Sequence, residues 1–364
     1  MSLSYARKMK VGHTPHRRPP TSSPTVPNNG DREGALIIID SFHAPEAHGF
    51  QVEGAAGSLG PTGPVHRYNQ LQNVDGRVTM PHVEALRELQ SSLSSEVLSP
   101  ESARESLTSF LDTAISNNLN LITGLLKEVS DEGFQNSVVN LSQGFDPITY
   151  FKIVKSPLGG KELSDQQKQV YFHNLNSAVS PQASGVGEFD NRLLGSIKSA
   201  IKSSEKIETA RNAWREQVRS FESNHNSVVV AAGNSGQELS AMSRAGFDID
   251  GSEDFNVFAV PEVTTVAASA TTEEGGIILP SPSSFGPEVD FIVSGFHGES
   301  FGSSFAAPKV ANIMRAAHAF NPGATSDQIE EWAKTEVSAV GEIRGHEVGI
   351  LREELASSLL QAPQ

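Results

Sequence analysis

Among its 364 residues the chain has no cysteine, which excludes disulfides, thiol catalysis and cysteine-ligated metals. Aromatic residues are few, at 7%, and no apolar run approaches the roughly 18 residues a membrane span requires. The first 30 residues lack the apolar core of a secretory signal, which leads us to expect synthesis in the cytoplasm, with leaderless export left open. No Gly-x-Gly-x-x-Gly follows the first apolar run and no Walker lysine motif occurs, so a nucleotide-binding α/β protein finds no support. There is no internal repeat.

The charge present is one-sided. The formal net charge is −15, yet residues 1–30 carry Arg7, Lys8, Lys10, Arg17 and Arg18 and no acid, leaving −20 on the rest. A body that acidic repels phosphate over most of its surface, so no nucleic-acid partner is expected. The basic, Pro-rich tail, residues 1–30, reads as a disordered leader, and residues 31–364 as one domain.

Short continuous apolar runs recur along that domain: "GALIIID" (34–40), "SVVNLSQG" (137–144), "SVVVAAGNSG" (227–236), "VFAVPEVTTVAASA" (257–270) and "VDFIVSG" (289–295). Runs of this kind are strands buried on both faces. Helical spacing separates them. Ser99-Pro100-Glu101 caps a helix carrying Leu107, Phe110, Leu111, Ala114 and Ile115, further helices are expected near 163–174, 190–220 and 304–320, and a last one starts at the capping box Thr325…Gln328. The pattern predicts an α/β fold: three layers, a mostly parallel central sheet with helices on both faces. In such sheets ligands gather beyond the carboxyl ends of the strands, where this chain places Asp40, Ser142-Gln143-Gly144, Gly233-Asn234 and Gly295.

Those ends hold the parts for hydroxyl attack on a carbonyl: a serine, a base, a carboxylate to orient the base, and oxyanion donors. Ser304 stands at a helix start, where it is either an N-cap or a nucleophile supported by the free amides of the first turn. Pro308 is expected in or near that turn, where its missing N–H costs little. His48, Asp40 and Asn234 each have an ordinary alternative as well: a surface histidine, a turn acid, a turn asparagine.

Taken together, the segments around them resemble the subtilisin-like serine protease family. "ALIIIDS" (35–41) is similar to its aspartate strand, "HGFQVEG" (48–54) to its histidine segment, "VVNLSQG" (138–144) to its substrate-binding strand, and "VVVAAGNSG" (228–236) to its oxyanion-asparagine strand. "SSFGPEVDFIVSG" (283–295) resembles the region before the nucleophile, "GSSFAAPKVAN" (302–312) the nucleophile segment, and "VGILREELA" (348–356) the closing one. The resemblance spans residues 35–356 in the family's order. It implies a serine endopeptidase with Ser304 as nucleophile, His48 as general base, Asp40 as orienting carboxylate and Asn234 as oxyanion donor. It also implies an extended polypeptide substrate along Ser142, Gln143, Gly144, Ala232 and Gly233, and no cofactor, with a calcium site left open.

Several features depart from the family pattern. Ser303 replaces a threonine and gives Ser304 a rival hydroxyl; Lys309, Asn312 and Gln51 replace common residues; and His43 is a rival base. Asp40 and His48 stand only eight positions apart, a spacing that favours an inactive binding module as the second reading. Helical insertions are expected near 81–129 and 145–220. With only about 34 residues before the aspartate strand no folded pro-domain is evident, so a separate inhibitor protein is an expected partner. A lipase or esterase would instead need a Gly-x-Ser-x-Gly elbow between a strand and a helix.

Overall fold

The computed structural model describes residues 32–44, 46–74, 77–143, 145–179, 186–236, 256–271, 277–278, 288–343 and 346–361. The basic tail lies outside them.

Among the described residues, nine strands form the main sheet. The first is β1 (Leu36–Asp40), paired in parallel with β2 (Val65–Asn69) on one side and β5 (Val138–Leu141) on the other. From β5 the parallel pairing continues through β6 (Ser227–Ala231), β7 (Thr264–Thr271) and β9 (Phe291–Ser294) to β13 (His346–Leu351). β12 (Ser338–Ile343) closes that edge antiparallel to β13, and the two-residue β8 (Ile277–Ile278) adds to β7. Two short antiparallel hairpins stand apart, β3 (Gln72–Val74) with β4 (Arg77–Thr79) and β10 (Phe296–His297) with β11 (Ser300–Phe301).

Side-chain alternation along the strands divides the core into two. Ile37, Ile39, Val139, Leu141, Val228 and Val230 face one helical layer, while Leu36, Ile38, Val138, Val229 and Ala231 face the other. The first layer is the helical insertion: α2 (Pro81–Ser95), the 32-residue α3 (Pro100–Asp131), α4 (Pro147–Gly159), α5 (Asp165–Val179), α6 (Val186–Ser203) and α7 (Glu205–Glu222). The second holds α1 (His48–Ala56), α8 (Ser303–Phe320), α9 (Ser326–Glu336) and α10 (Glu353–Gln361). The three-layer α/β fold is therefore present.

Three local expectations are corrected. Residues 257–263 are turn rather than strand: Ala259 and Val263 donate backward to the Asn256 and Val260 carbonyls, and Pro261 has no amide to give a ladder. The helical stretch expected near 190–220 is two helices, because Ser204 caps the second by accepting from the Ile207 amide. α4 was not foreseen, although Asp146 caps it through the Thr149 amide and Pro147 occupies its first turn.

The topology fixes where chemistry can occur. From β1 the chain steps to β2 on one side, and the later strands extend away on the other. The sheet's switch point is therefore between β1 and β5, beyond whose carboxyl ends lie Asp40 and Ser142.

Candidate active site

Asp40 is the last residue of β1 and shares the parity of Leu36 and Ile38, so its carboxylate faces the layer of α1 and α8. It is fully buried, and its Oδ1 accepts from the Ser41 amide at 2.6 Å. His48 opens α1, and its Nδ1 lies 3.0 and 2.9 Å from the two Asp40 oxygens. A carboxylate on Nδ1 fixes the tautomer, leaving Nε2 to take up a proton. The short connection closes because Gly49 follows the histidine. Its amide donates to the Ser41 carbonyl at 3.0 Å, and a Cβ there would come within 2.6 Å of the Phe42 ring and 2.8 Å of that carbonyl. His43 is exposed on the loop; His48 is the histidine that meets Asp40.

The rival hydroxyls have different surroundings. Ser303 is fully buried: its Oγ accepts from the Gly233 amide at 3.1 Å and donates towards the Gly233 carbonyl at 2.9 Å. Its amide donates to Asn234 Oδ1 at 2.8 Å. Ser303 thus bolts the start of α8 to the end of β6. No hydrogen bond of the Ser304 hydroxyl or amide occurs among the described residues, while its carbonyl accepts from Ser142 Oγ at 2.9 Å. That last bond has a cause. Pro308 is the sixth residue of α8, just beyond its first turn, and the amide it lacks is the one that would meet the Ser304 carbonyl. Ser142 supplies the missing donor and in turn accepts from the Asn140 amide at 2.7 Å.

Asn234 is exposed beside Gly302. Because its Oδ1 faces the Ser303 amide, its NH₂ is turned away and is available as a donor. A Cβ on Gly302 would lie 3.1 Å from the Asn234 amide atoms, so glycine there lets that side chain approach the helix start. The Asn234 amide and the Ser304 N–H together make a pair of donors at a helix N-terminus.

Phe305, the residue after Ser304, places its ring centroid 5.6 Å from that of His48. No hydrogen bond joins the Ser304 hydroxyl to the imidazole among the described residues, and such bonds commonly tighten only around substrate. The His297 ring, from β10, packs on Phe305 at 5.8 Å.

The expected peptide-binding residues divide. Ser142 is buried and its hydroxyl is committed to Ser304. Gln143 is half-buried, with its carbonyl held by Asn256 Nδ2 at 3.0 Å. Gly144 lies outside the described residues. The Ala232 and Gly233 amides, expected to pair with a peptide, are already used by the Val266 carbonyl and Ser303 Oγ.

The sequence does contain a Gly-x-Ser-x-Gly match, Gly298-Glu299-Ser300-Phe301-Gly302, but Ser300 lies in the antiparallel β10–β11 hairpin. A nucleophile elbow requires a strand running through a sharp turn into a helix, so Ser300 is not one. Sequence reasoning missed the bolt at Ser303 and the fully buried Asn256, which ties together the Ala231, Gln143 and Phe145 backbones. For Asn256 no local signal existed. Among the described residues no group of three or more His, Asp or Glu side chains could hold a metal, and no helix is long and apolar enough to cross a membrane.

No family model and no curated protein matches the chain. Solved structures do resemble it. A lanthipeptide protease is 13% identical, covering 91% of this chain and 89% of that one with a TM-score of 0.45. A cold-adapted subtilisin-like serine proteinase is 15% identical over 88% of each chain, with a TM-score of 0.39. A structure described as the basis of subtilase cytotoxin SubAB assembly is 15% identical over 91% of this chain and 90% of that one, also at 0.39. All of these TM-scores lie below 0.5, so the chemistry has to be argued from the chain's own residues.

Proposed function

We propose that the chain is a serine endopeptidase that cleaves extended polypeptides through an acyl-enzyme. Ser304 attacks the scissile carbonyl while His48, held by Asp40, takes the hydroxyl proton. The Asn234 amide and the Ser304 N–H receive the oxyanion, and His48 then returns the proton to the leaving amine. Water, activated by the same histidine, releases the acyl group.

One observation carries this reading. Of two adjacent serines at a helix start, the fully buried Ser303 has its hydroxyl bonded to Gly233, whereas the Ser304 hydroxyl has no hydrogen bond among the described residues. The Asp40–His48 pair supports the same reading, since the imidazole ring lies 5.6 Å from that of Phe305, the next residue in the chain. Cleavage of unfolded casein tests it. Ser304→Ala is expected to abolish cleavage, a loss on the order of 10⁶-fold in kcat, the size familiar from subtilisin itself. Ser303→Ala is expected to cleave still, with reduced stability. Cleavage that survives in Ser304→Ala removes the proposal, and an inert wild-type chain favours the inactive binding module.

A further inference from the structure

α8 is buried along nearly its whole length, and Lys309 places an ammonium inside it with only 3% of the residue exposed. Burying a charge is costly unless it is paired and hydrogen-bonded. Lys309 Nζ has two such oxygens, the Ser294 carbonyl at 2.9 Å and Glu353 Oε1 at 3.0 Å.

Each oxygen leads somewhere informative. Ser294 ends β9 and precedes Gly295, whose carbonyl accepts from the amide of Gly302, the N-cap of α8, at 3.0 Å. The fit there is close: a Cβ on Gly295 would stand 2.9 Å from the Gly302 carbonyl oxygen and 2.5 Å from the Ala268 Cβ. Glu353 belongs to α10, whose buried Leu360 packs on Gly60 in the turn after α1, where a Cβ would meet the Leu360 Cβ at 2.6 Å. α10 therefore touches both the turn that follows the helix beginning with His48 and, through Glu353, the helix that begins with Ser303-Ser304. Asn312 ties the same two helices directly, donating from Nδ2 to the Ala56 carbonyl at 3.1 Å.

We infer that Lys309 is a positioning residue for Ser304, and that Glu353, brought in by α10, is the group that keeps it in place. With the carboxylate present, the ammonium stays buried and holds the Ser294 carbonyl, one residue from the contact that sets where α8 starts. With the carboxylate gone, Lys309 is a stranded charge whose best course is to swing towards water, releasing that carbonyl. The last helix is thus a brace that registers the nucleophile against the base. The assignment rests on reading Ser304 as the nucleophile, while the brace itself is a property of the fold.

The test compares the full chain with Glu353→Gln and Lys309→Met, using Glu354→Gln on the exposed side of α10 as a control. Two readouts are taken: amide hydrogen exchange and the labelling rate with a fluorophosphonate. Both variants are expected to speed exchange of the Gly302 amide by about 10-fold. Exchange over residues 313–320 should not change, and labelling should slow by a similar factor; the control should match wild type. Lys309→Met removes the cation instead of stranding it, so it tests the Ser294 contact should Glu353→Gln fold poorly. Unchanged exchange at Gly302 contradicts the inference, as does acceleration spread evenly to residue 320, which marks the pair as ordinary helix stabilisation. A wild type that takes no label removes the serine-protease reading alone, because the exchange comparison still decides on the brace.

Discussion

Pro308 and Ser142 are explained together or not at all. The proline deprives the Ser304 carbonyl of its helical donor and the Ser142 hydroxyl replaces it, so the residue proposed to attack is held by its carbonyl while its hydroxyl has no hydrogen bond among the described residues. Ser142→Ala should cost about 1–3 kcal/mol in urea unfolding, the penalty for an unpaired buried carbonyl. Pro308→Ala restores an amide at that place. In the Ser142→Ala background it should recover part of the loss, giving a coupling of about 1 kcal/mol in a double-mutant cycle, whereas strict additivity would show that the two residues are unrelated. On the proposed mechanism Asn234→Ala removes an oxyanion donor and is expected to lower kcat by about 10²–10³-fold with KM little changed, the range known for loss of one such donor in subtilisin. An equal rise in KM would make Asn234 a substrate-binding residue instead.

At the scale of elements, the tight Asp40–His48 connection depends on Gly49. A methyl group there collides with backbone as well as with the Phe42 ring, so Gly49→Ala should displace the start of α1 and lower both stability and activity. Full activity in that variant would show that the loop has slack. This connection also marks what the sequence made legible. The aspartate strand, the histidine at a helix start and the serine helix were readable because strand parity and helix capping are local. The approach of Phe42 to Gly49 was not, since it depends on how a seven-residue loop folds back on itself. How the cost of Pro308 is cancelled was hidden for the same reason, because Ser142 lies 166 positions earlier in the chain. The 257–263 stretch was misread because its apolar residues are buried in a turn, where composition resembles that of a strand.

For the whole molecule, buried titratable groups at the other end of the sheet predict a pH profile of stability. Burial pushes the Glu222 carboxyl up to about 8, and burial with repulsion from Glu330 pushes Asp290 up to about 7. Both release protons more readily in the unfolded chain. Their stabilising contributions are present below about pH 4 and are lost as pH rises through 7 and 8. His318, buried against Ser227, is held down at about 4, so its contribution is present above about pH 6.5 and is lost as pH falls towards 4. Glu222→Gln should therefore flatten the decline between pH 5 and 8 in denaturant midpoints. A decline as steep as wild type would show that Glu222 is ionised in the folded protein.

The proposal as a whole turns on which hydroxyl reacts. Peptide mass mapping of the fluorophosphonate adduct on the wild-type chain and on His48→Ala addresses that directly. The account predicts a single adduct on Ser304 in the wild type and none in His48→Ala. An adduct on Ser303 or Ser300, or a Ser304 adduct indifferent to the loss of His48, would contradict it.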